Sequence, residues 1–223
     1  TLLAGFFLNF SFTIWHEAVH GNVSGNRVLN DLVGVLGAVP SFIPFFQIRR
    51  THLLHHAYTN NPEKDPDHWF LEKPFWTLYL RYGKGVKRTK AIYESTNPPR
   101  EERRKDLATA LFTFIALAFV LYLGFLREVF FLWLIPKGII MALHAWYVNY
   151  LPHRDMPAER FKDTRIFLIM DGISKLLFLD HTYHGLHHAW PKIPWYRYAR
   201  AYATKKEMLR ERGVPIHSSL LER

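Results

Sequence analysis

Residues 107–126 read LATALFTFIALAFVLYLGFL, a run of twenty residues without a charge between Asp106 and Arg127. A helix of about 20 apolar residues is long enough to cross the roughly 30 Å hydrocarbon core of a bilayer. The stretch therefore predicts a membrane-spanning helix. We expect a second span over residues 129–151, joined to the first by a short turn at residues 127–128 to form a hairpin.

Two apolar stretches precede this hairpin. Residues 1–15 are apolar and run directly into His16, which predicts the end of a membrane helix that begins upstream of this chain. Residues 28–48 are apolar but interrupted by glycine and proline, a pattern typical of an interfacial or re-entrant helix. With 223 residues, the chain has the length of one domain, and we expect one membrane domain over residues 1–223.

The basic residues are unevenly distributed along the chain. Residues 21–106 carry 14 lysines and arginines, residues 152–223 carry 13, and the hairpin turn carries one. Because cytoplasmic segments are enriched in these residues, both basic stretches are expected on the cytoplasmic side. The predicted fold is therefore all-α, a polytopic helical membrane protein with a helical cap on its cytosolic side. The net charge of +10 accompanies no nucleic-acid-binding motif, so nucleic acid is not an expected partner.

Histidines cluster where the apolar segments end. Residues 16–20 read HEAVH, residues 52–56 read HLLHH, residues 184–188 read HGLHH, and residues 149–153 read NYLPH. Side chains three or four residues apart lie on one face of a helix, so each motif would present its members together. Ionisable side chains at membrane depth are costly and mark function, and a metal centre explains them best. The ten candidate metal ligands are His16, His20, His52, His55, His56, Asn149, His153, His184, His187 and His188.

The ligand types narrow the choice of metal. Nine histidines exceed the capacity of one ion, which is about four to six ligands, so two metals are expected. Imidazole suits zinc, iron, copper and nickel. Glu17 is the only acid inside a cluster, which favours a histidine-rich pair of irons over a di-zinc hydrolase, and the absence of cysteine excludes thiolate ligands. Four aspartates are candidates for orienting the ligand histidines: Asp65, Asp67, Asp155 and Asp180.

Other polar residues near these motifs have simpler interpretations. His144 is expected to be structural, because a lone histidine on an apolar helix usually is, and His181, three residues before His184, is a further candidate for the site. His68 and His217 are expected on the surface. Asn149 could cap the end of its helix instead of binding metal.

The three clusters resemble the histidine boxes of the membrane-bound fatty acid desaturase-like superfamily, over nearly the whole chain from His16 to Tyr198. Asn149 with His153 is similar to the Asn-x-x-x-His ligand pair of acyl-CoA desaturases. Three segments further resemble cyanobacterial-type β-carotene hydroxylases: RTHLLHHAYTNNPEKDPDH at residues 50–68, YLPHR at residues 150–154 and HHAWPKIPWY at residues 187–196.

This resemblance implies a non-haem di-iron oxygenase in which the ten candidate residues bind the irons, with zinc as a substitute in purified samples. We expect it to hydroxylate the β-ionone ring of a carotenoid with O₂ and electrons from a ferredoxin-like donor. A carotenoid ketolase, an acyl-lipid desaturase and a non-catalytic pigment-binding subunit are the alternatives. The chain carries no Gly-rich dinucleotide fingerprint, and the basic residues at 84–90 or 103–105 are candidates for docking the donor.

Overall fold

The computed structural model describes residues 2–72, 75–169, 172 and 174–219, and most of these residues are helical, as predicted. The helices are α1 (Leu2–Val19), α2 (Arg27–Ala38), α3 (Phe45–Tyr58), α4 (Leu78–Ser95), α5 (Arg100–Tyr122), α6 (Leu126–Tyr150), α7 (His184–Ala189) and α8 (Tyr198–Glu211). One departure from an all-α fold is a parallel pair of two-residue strands, β1 (Ile166–Phe167) and β2 (Ile216–His217). This pair is too short to leave an alternating pattern in the sequence.

Two helices in the described part of the chain, α5 and α6, are long and apolar enough to cross a membrane. Within α5, Thr113 is the buried residue, so nearly all of its apolar surface faces outward, as a lipid-facing surface requires. The predicted turn at residues 127–128 is wrong, because the chain reverses at residues 123–125. Gly124 adopts a φ of +90° there, a conformation that costs glycine little. Arg127 and Glu128 instead form the first turn of α6.

The predicted interruption within residues 28–48 is confirmed. Helix α2 passes into a 3₁₀ turn at Val39–Ser41, and Phe42 has a φ of 54°, outside the helical region. Because this residue cannot continue the helix, α3 starts anew at Phe45. Helices α2 and α3 provide a third candidate span only when taken together as one bent segment.

The contacts divide the chain into two compact units. The first unit comprises Thr1–Arg50 and Asn97–Leu143. Within it, Gly37 lets α2 approach α1 closely, since an added Cβ would lie 2.8 Å from the side chain of Ile14. The Asn30 side chain donates a 2.7 Å hydrogen bond to the carbonyl of Ala18 on α1. These contacts hold the end of α1 that carries the first histidine motif.

The second unit comprises Thr51–Thr96 and His144–Arg223. Its core contains the fully buried side chains of Ile166, Leu186, Tyr198 and Leu209. Burying an aliphatic side chain of this size contributes roughly 1.5–3 kcal/mol, so this cluster fixes α7 against β1 and α8. The amide of Gly185 also donates to the carbonyl of Arg165, just before β1, at 3.0 Å. The third histidine motif therefore lies on a firmly packed helix.

Candidate metal centre

The HLLHH and HGLHH motifs in the second unit each bring together their two imidazoles four residues apart, as predicted. On α3, the rings of His52 and His56 are 4.7 Å apart between centroids. On α7, the rings of His184 and His188 are also 4.7 Å apart. The spacing of four residues produces both pairs, because such residues are neighbours on a helix surface.

Four imidazoles from three motifs converge at one point, which we call the first histidine set. It consists of His55, His153, His184 and His188, whose ligand atoms all lie within 4.8 Å of one another. The Nε2 atom of His184 is 2.9 Å from that of His153 and 3.1 Å from that of His188. Nitrogens facing each other at these distances can share only one proton per pair. A cation bound between their lone pairs satisfies them together.

Three further imidazoles form a second histidine set, consisting of His52, His56 and His187. The Nε2 atom of His56 lies 3.1 Å from that of His52 and 3.0 Å from that of His187. The rings of His56 and His188 are only 4.2 Å apart between centroids, so the two sets are neighbours. Seven of the ten predicted ligands are thus brought together within the second unit.

Asp65 is the predicted aspartate that holds a ligand histidine. Its buried carboxylate lies 2.9 Å from Nδ1 of His55 through Oδ1. The same Oδ1 accepts from the Asp67 amide at 2.8 Å, and Oδ2 accepts from the Asn60 amide at 2.8 Å. Because this carboxylate is acceptor-only when ionised, it favours the His55 tautomer with the proton on Nδ1. Nε2 of His55 is then free to bind a metal.

Asn60 fastens the loop that carries Asp65. Its backbone adopts a φ of 62°, a conformation that asparagine tolerates better than most residues. Its side-chain amide donates to the carbonyl of Asp163 at 2.7 Å and to those of Met156 and Pro157 at 3.3 Å. The loop after α3 is thereby tied to the segment that follows His153.

Two hydroxyl groups, those of Thr59 and Tyr198, orient further imidazoles. Neither of them was identified from the sequence. The Thr59 hydroxyl donates to the carbonyl of His55 at 2.8 Å, so its oxygen can accept from Nδ1 of His188, 3.3 Å away. Tyr198 places its hydroxyl 2.8 Å from Nδ1 of His187. Thr59 lies four residues after His55, which is a usable signal on a helix, but nothing in the sequence connects Tyr198 with His187.

Burial keeps two members of the first histidine set, His153 and His188, in the neutral form that binds metal. The pKa of His153 lies well below its usual value of 6.5, chiefly because the ring is buried and secondly because His55 is close. Burial, followed by the proximity of His56 and His184, likewise lowers the pKa of His188 well below 6.5. Neutral imidazoles suit zinc, iron, copper and nickel, so the donor set fits the predicted irons.

The remaining predicted ligands are His16, His20 and Asn149. His16 and His20 belong to the first unit, where both are buried and their rings are 5.0 Å apart. Asn149 is half-buried, and its amide donates to the carbonyl of His144 at 3.5 Å. Among the described residues, His144 and His181 belong to no group of three or more metal-ligating side chains, although both are buried.

The other candidate aspartates and histidines differ in their surroundings. Asp155 is exposed and pairs with Arg154 at 3.3 Å. Asp180 is fully buried and precedes the 3₁₀ turn His181–Tyr183. His68 and His217 are half-buried, less exposed than the surface positions we expected.

Several curated proteins are similar to this chain. A dihydrorhizobitoxine desaturase of Bradyrhizobium elkanii is 28% identical over 87% of the chain and 63% of that protein. An sn-1 acyl-lipid omega-3 desaturase (ferredoxin) of Synechocystis sp. is 24% identical over 90% of the chain and 64% of its own length. An omega-3 fatty acid desaturase of Caenorhabditis elegans is 38% identical over 29% of the chain and 16% of its own length. The chain thus spans less than two thirds of each of these relatives.

These relatives overturn one expectation. They are named as desaturases, most of them of fatty acids, so the prediction of a carotenoid ring hydroxylase is wrong. Histidine motifs at these spacings meet the needs of the metals and do not identify the substrate. A family model described as fatty acid desaturase matches residues 1–220. The chain therefore belongs to the fatty acid desaturase family.

Proposed function

We propose that this protein is a membrane-bound di-iron desaturase that introduces a double bond into the acyl chain of a lipid. The observation that carries the proposal is the convergence of seven imidazoles in two adjacent sets, in a chain of the fatty acid desaturase family. Two apolar helices of spanning length support a membrane location. We place the histidine sets on the cytoplasmic face, as the basic stretches predict.

The first histidine set would hold one iron, and the second would contribute to the other. His16, His20 and Asn149 remain predicted ligands that would complete the two coordination shells. When bound, the irons supply the activation of O₂ and the removal of hydrogen from an unactivated C–H bond. Asp65 and Thr59 keep protons on the Nδ1 atoms of His55 and His188, so that Nε2 of each ring faces the metal.

The proposed reaction is balanced with an external reductant. Two neighbouring CH₂ groups lose one hydrogen atom each and become CH=CH. O₂, two electrons and two further protons complete the reaction, and two water molecules are the other products. The chain shows no nucleotide-binding fingerprint, and the name of the Synechocystis relative includes ferredoxin. We therefore propose a ferredoxin-like protein as the donor.

Lipid analysis tests this proposal. The full-length protein would be expressed with a ferredoxin system in a bacterial host, and fatty acid methyl esters would be analysed by gas chromatography and mass spectrometry. We expect new double bonds with the wild type, none with His184→Ala, and wild-type product with the matched control His68→Ala. An unchanged fatty acid profile with folded, iron-loaded protein would contradict the proposal, as would full product from His184→Ala.

A further inference from the structure

A cavity of about 550 Å³ lies beside the candidate metal centre within the second unit. His56, from the second histidine set, and His188, from the first, both form part of its wall. Its outer lining includes the exposed residues Tyr58 and Arg160. The cavity therefore connects the protein surface with both histidine sets.

Four cations are held on aromatic rings around this cavity. Lys64 lies 5.2 Å from the ring centre of Tyr58, and Lys205 lies 4.7 Å from that of Trp190. Phe161 is flanked by two guanidinium groups, those of Arg160 at 5.1 Å and Arg212 at 5.3 Å. We call Lys64, Arg160, Lys205 and Arg212 the cationic rim. Such contacts are attractive and restrict where each charge lies.

The charge of the cationic rim is not neutralised by the described residues. None of their carboxylates lies within 4.0 Å of any of the four rim cations. The neighbouring Glu159 is paired with Lys162 at 2.7 Å. Asp163 lines the cavity and interacts electrostatically with Arg160, but its side chain is buried and accepts from the hydroxyl of Thr164 at 3.3 Å. With four cations and no carboxylate paired directly to them, the rim presents a net positive charge to solvent.

Two of the basic residues that the sequence suggested for this task, Arg88 and Lys105, have other partners. Arg88 donates to the carbonyl of Pro62 and to that of Asp65 at 3.4 Å, which ties α4 to the loop behind the metal centre. Lys105, in the first unit, pairs with Glu101 at 2.6 Å. Neither residue lines the cavity.

We propose that the cationic rim docks an acidic one-electron carrier protein, which delivers the electrons at the cavity that reaches His56 and His188. This inference rests on the proposed function, because only a reductant-dependent enzyme needs such a partner. Complementary charge accelerates encounter and orients the docked pair. Trp190, which carries one rim contact, is separated from His188 by a single residue, so a partner seated on the rim lies close to the metal ligands.

The test uses the full-length, iron-loaded protein and a reduced acidic [2Fe–2S] ferredoxin. The triple variant Arg160→Glu/Lys205→Glu/Arg212→Glu should raise the KM for ferredoxin by at least about tenfold at low salt, with kcat and iron content unchanged. Turnover driven by dithionite should not change. Lys84→Glu/Lys87→Glu/Lys90→Glu tests the α4 residues that the sequence suggested for docking; it alters the net charge equally at three exposed residues, and we expect its KM to stay unchanged. A KM raised in this variant and not in the rim variant would overturn the docking proposal.

The outcomes separate this inference from the proposed function. A wild-type KM in the rim variant would overturn the docking proposal. So would a variant whose only defect is weaker binding to vesicles containing anionic lipid, which would assign the rim to the membrane. Failure of dithionite to drive desaturation by the wild type would instead contradict the proposed function. Direct, salt-dependent binding of ferredoxin to the two variants would then still test the rim, with weaker binding expected only for the rim variant.

Discussion

Replacing Asp65 by asparagine perturbs the candidate metal centre through one carboxylate. Asparagine keeps the shape of the side chain but presents one acceptor and one donor instead of two acceptors. The native carboxylate contacts the His55 ring and accepts from the amides of Asn60 and Asp67. In either orientation of the new amide, its NH₂ group faces at least one N–H group.

The expected loss of metal affinity in Asp65→Asn follows from these contacts. If the amide oxygen stays on the His55 side, the bond from the Asn60 amide is lost, and a hydrogen bond to a charged group is worth about 1.5–3 kcal/mol. If the amide turns over, its NH₂ group donates to Nδ1 of His55 and moves the proton of that ring to Nε2. The second case removes a metal ligand. Losing an orienting partner lowers metal affinity by about 10–100-fold.

The effect on metal affinity is measured by titrating the full-length protein in detergent with Co²⁺ and recording its absorption spectrum. We expect Asp65→Asn to bind cobalt about 10–100-fold more weakly than the wild type. Asp155→Asn is the matched control, because that carboxylate is exposed. The free energy of unfolding of this variant should change by less than about 0.5 kcal/mol. Wild-type cobalt affinity in a folded Asp65→Asn protein would refute the positioning role.

Thr59→Val removes the oxygen that faces Nδ1 of His188, so cobalt affinity should fall by about tenfold, and Thr59→Ser should restore it. Equal affinity in the valine and serine variants would contradict this role. Gly85→Ala would place a methyl group in the indole of Trp69 and should destabilise the protein by roughly 1–3 kcal/mol in thermal unfolding. Gly83→Ala, where nothing lies within 4 Å of the new methyl group, should not lower the Tm, and equal Tm values for the two variants would refute the packing argument.

The hairpin shows what hydropathy can predict and where it stops. The uncharged run at residues 107–126 located the first span, but α5 begins earlier, at Arg100. Charged residues such as arginine and glutamate are good helix formers, so a helix can extend beyond its apolar part. The turn position depends on the positive φ of Gly124, and hydropathy carries no information about backbone conformation.

The candidate site was predictable within each motif but not between motifs. Spacing predicted that His184 and His188 share a face. It could not predict that His188 joins His55 while His187 joins His56, because that division depends on how α7 packs against its neighbours. Selecting Asp65 among four aspartates likewise required the conformation of the loop after α3.

The substrate was the part that the sequence motifs predicted wrongly. Histidines at these spacings meet the needs of the metals, and those needs are the same for hydroxylation and for desaturation. The outcome depends on how the substrate is held, and the residues that would hold it form no comparable pattern. Only the similarity to named desaturases corrected the prediction.

The central claim is that the histidine sets hold two irons. Iron content per chain, measured together with X-ray absorption at the iron edge, tests it most directly on the full-length protein. The account predicts two irons per chain in a shell dominated by imidazole nitrogen, with iron lost in His184→Ala and retained in His68→Ala. A folded protein that binds no iron when supplied with it, or a shell dominated by carboxylate oxygen, would contradict it.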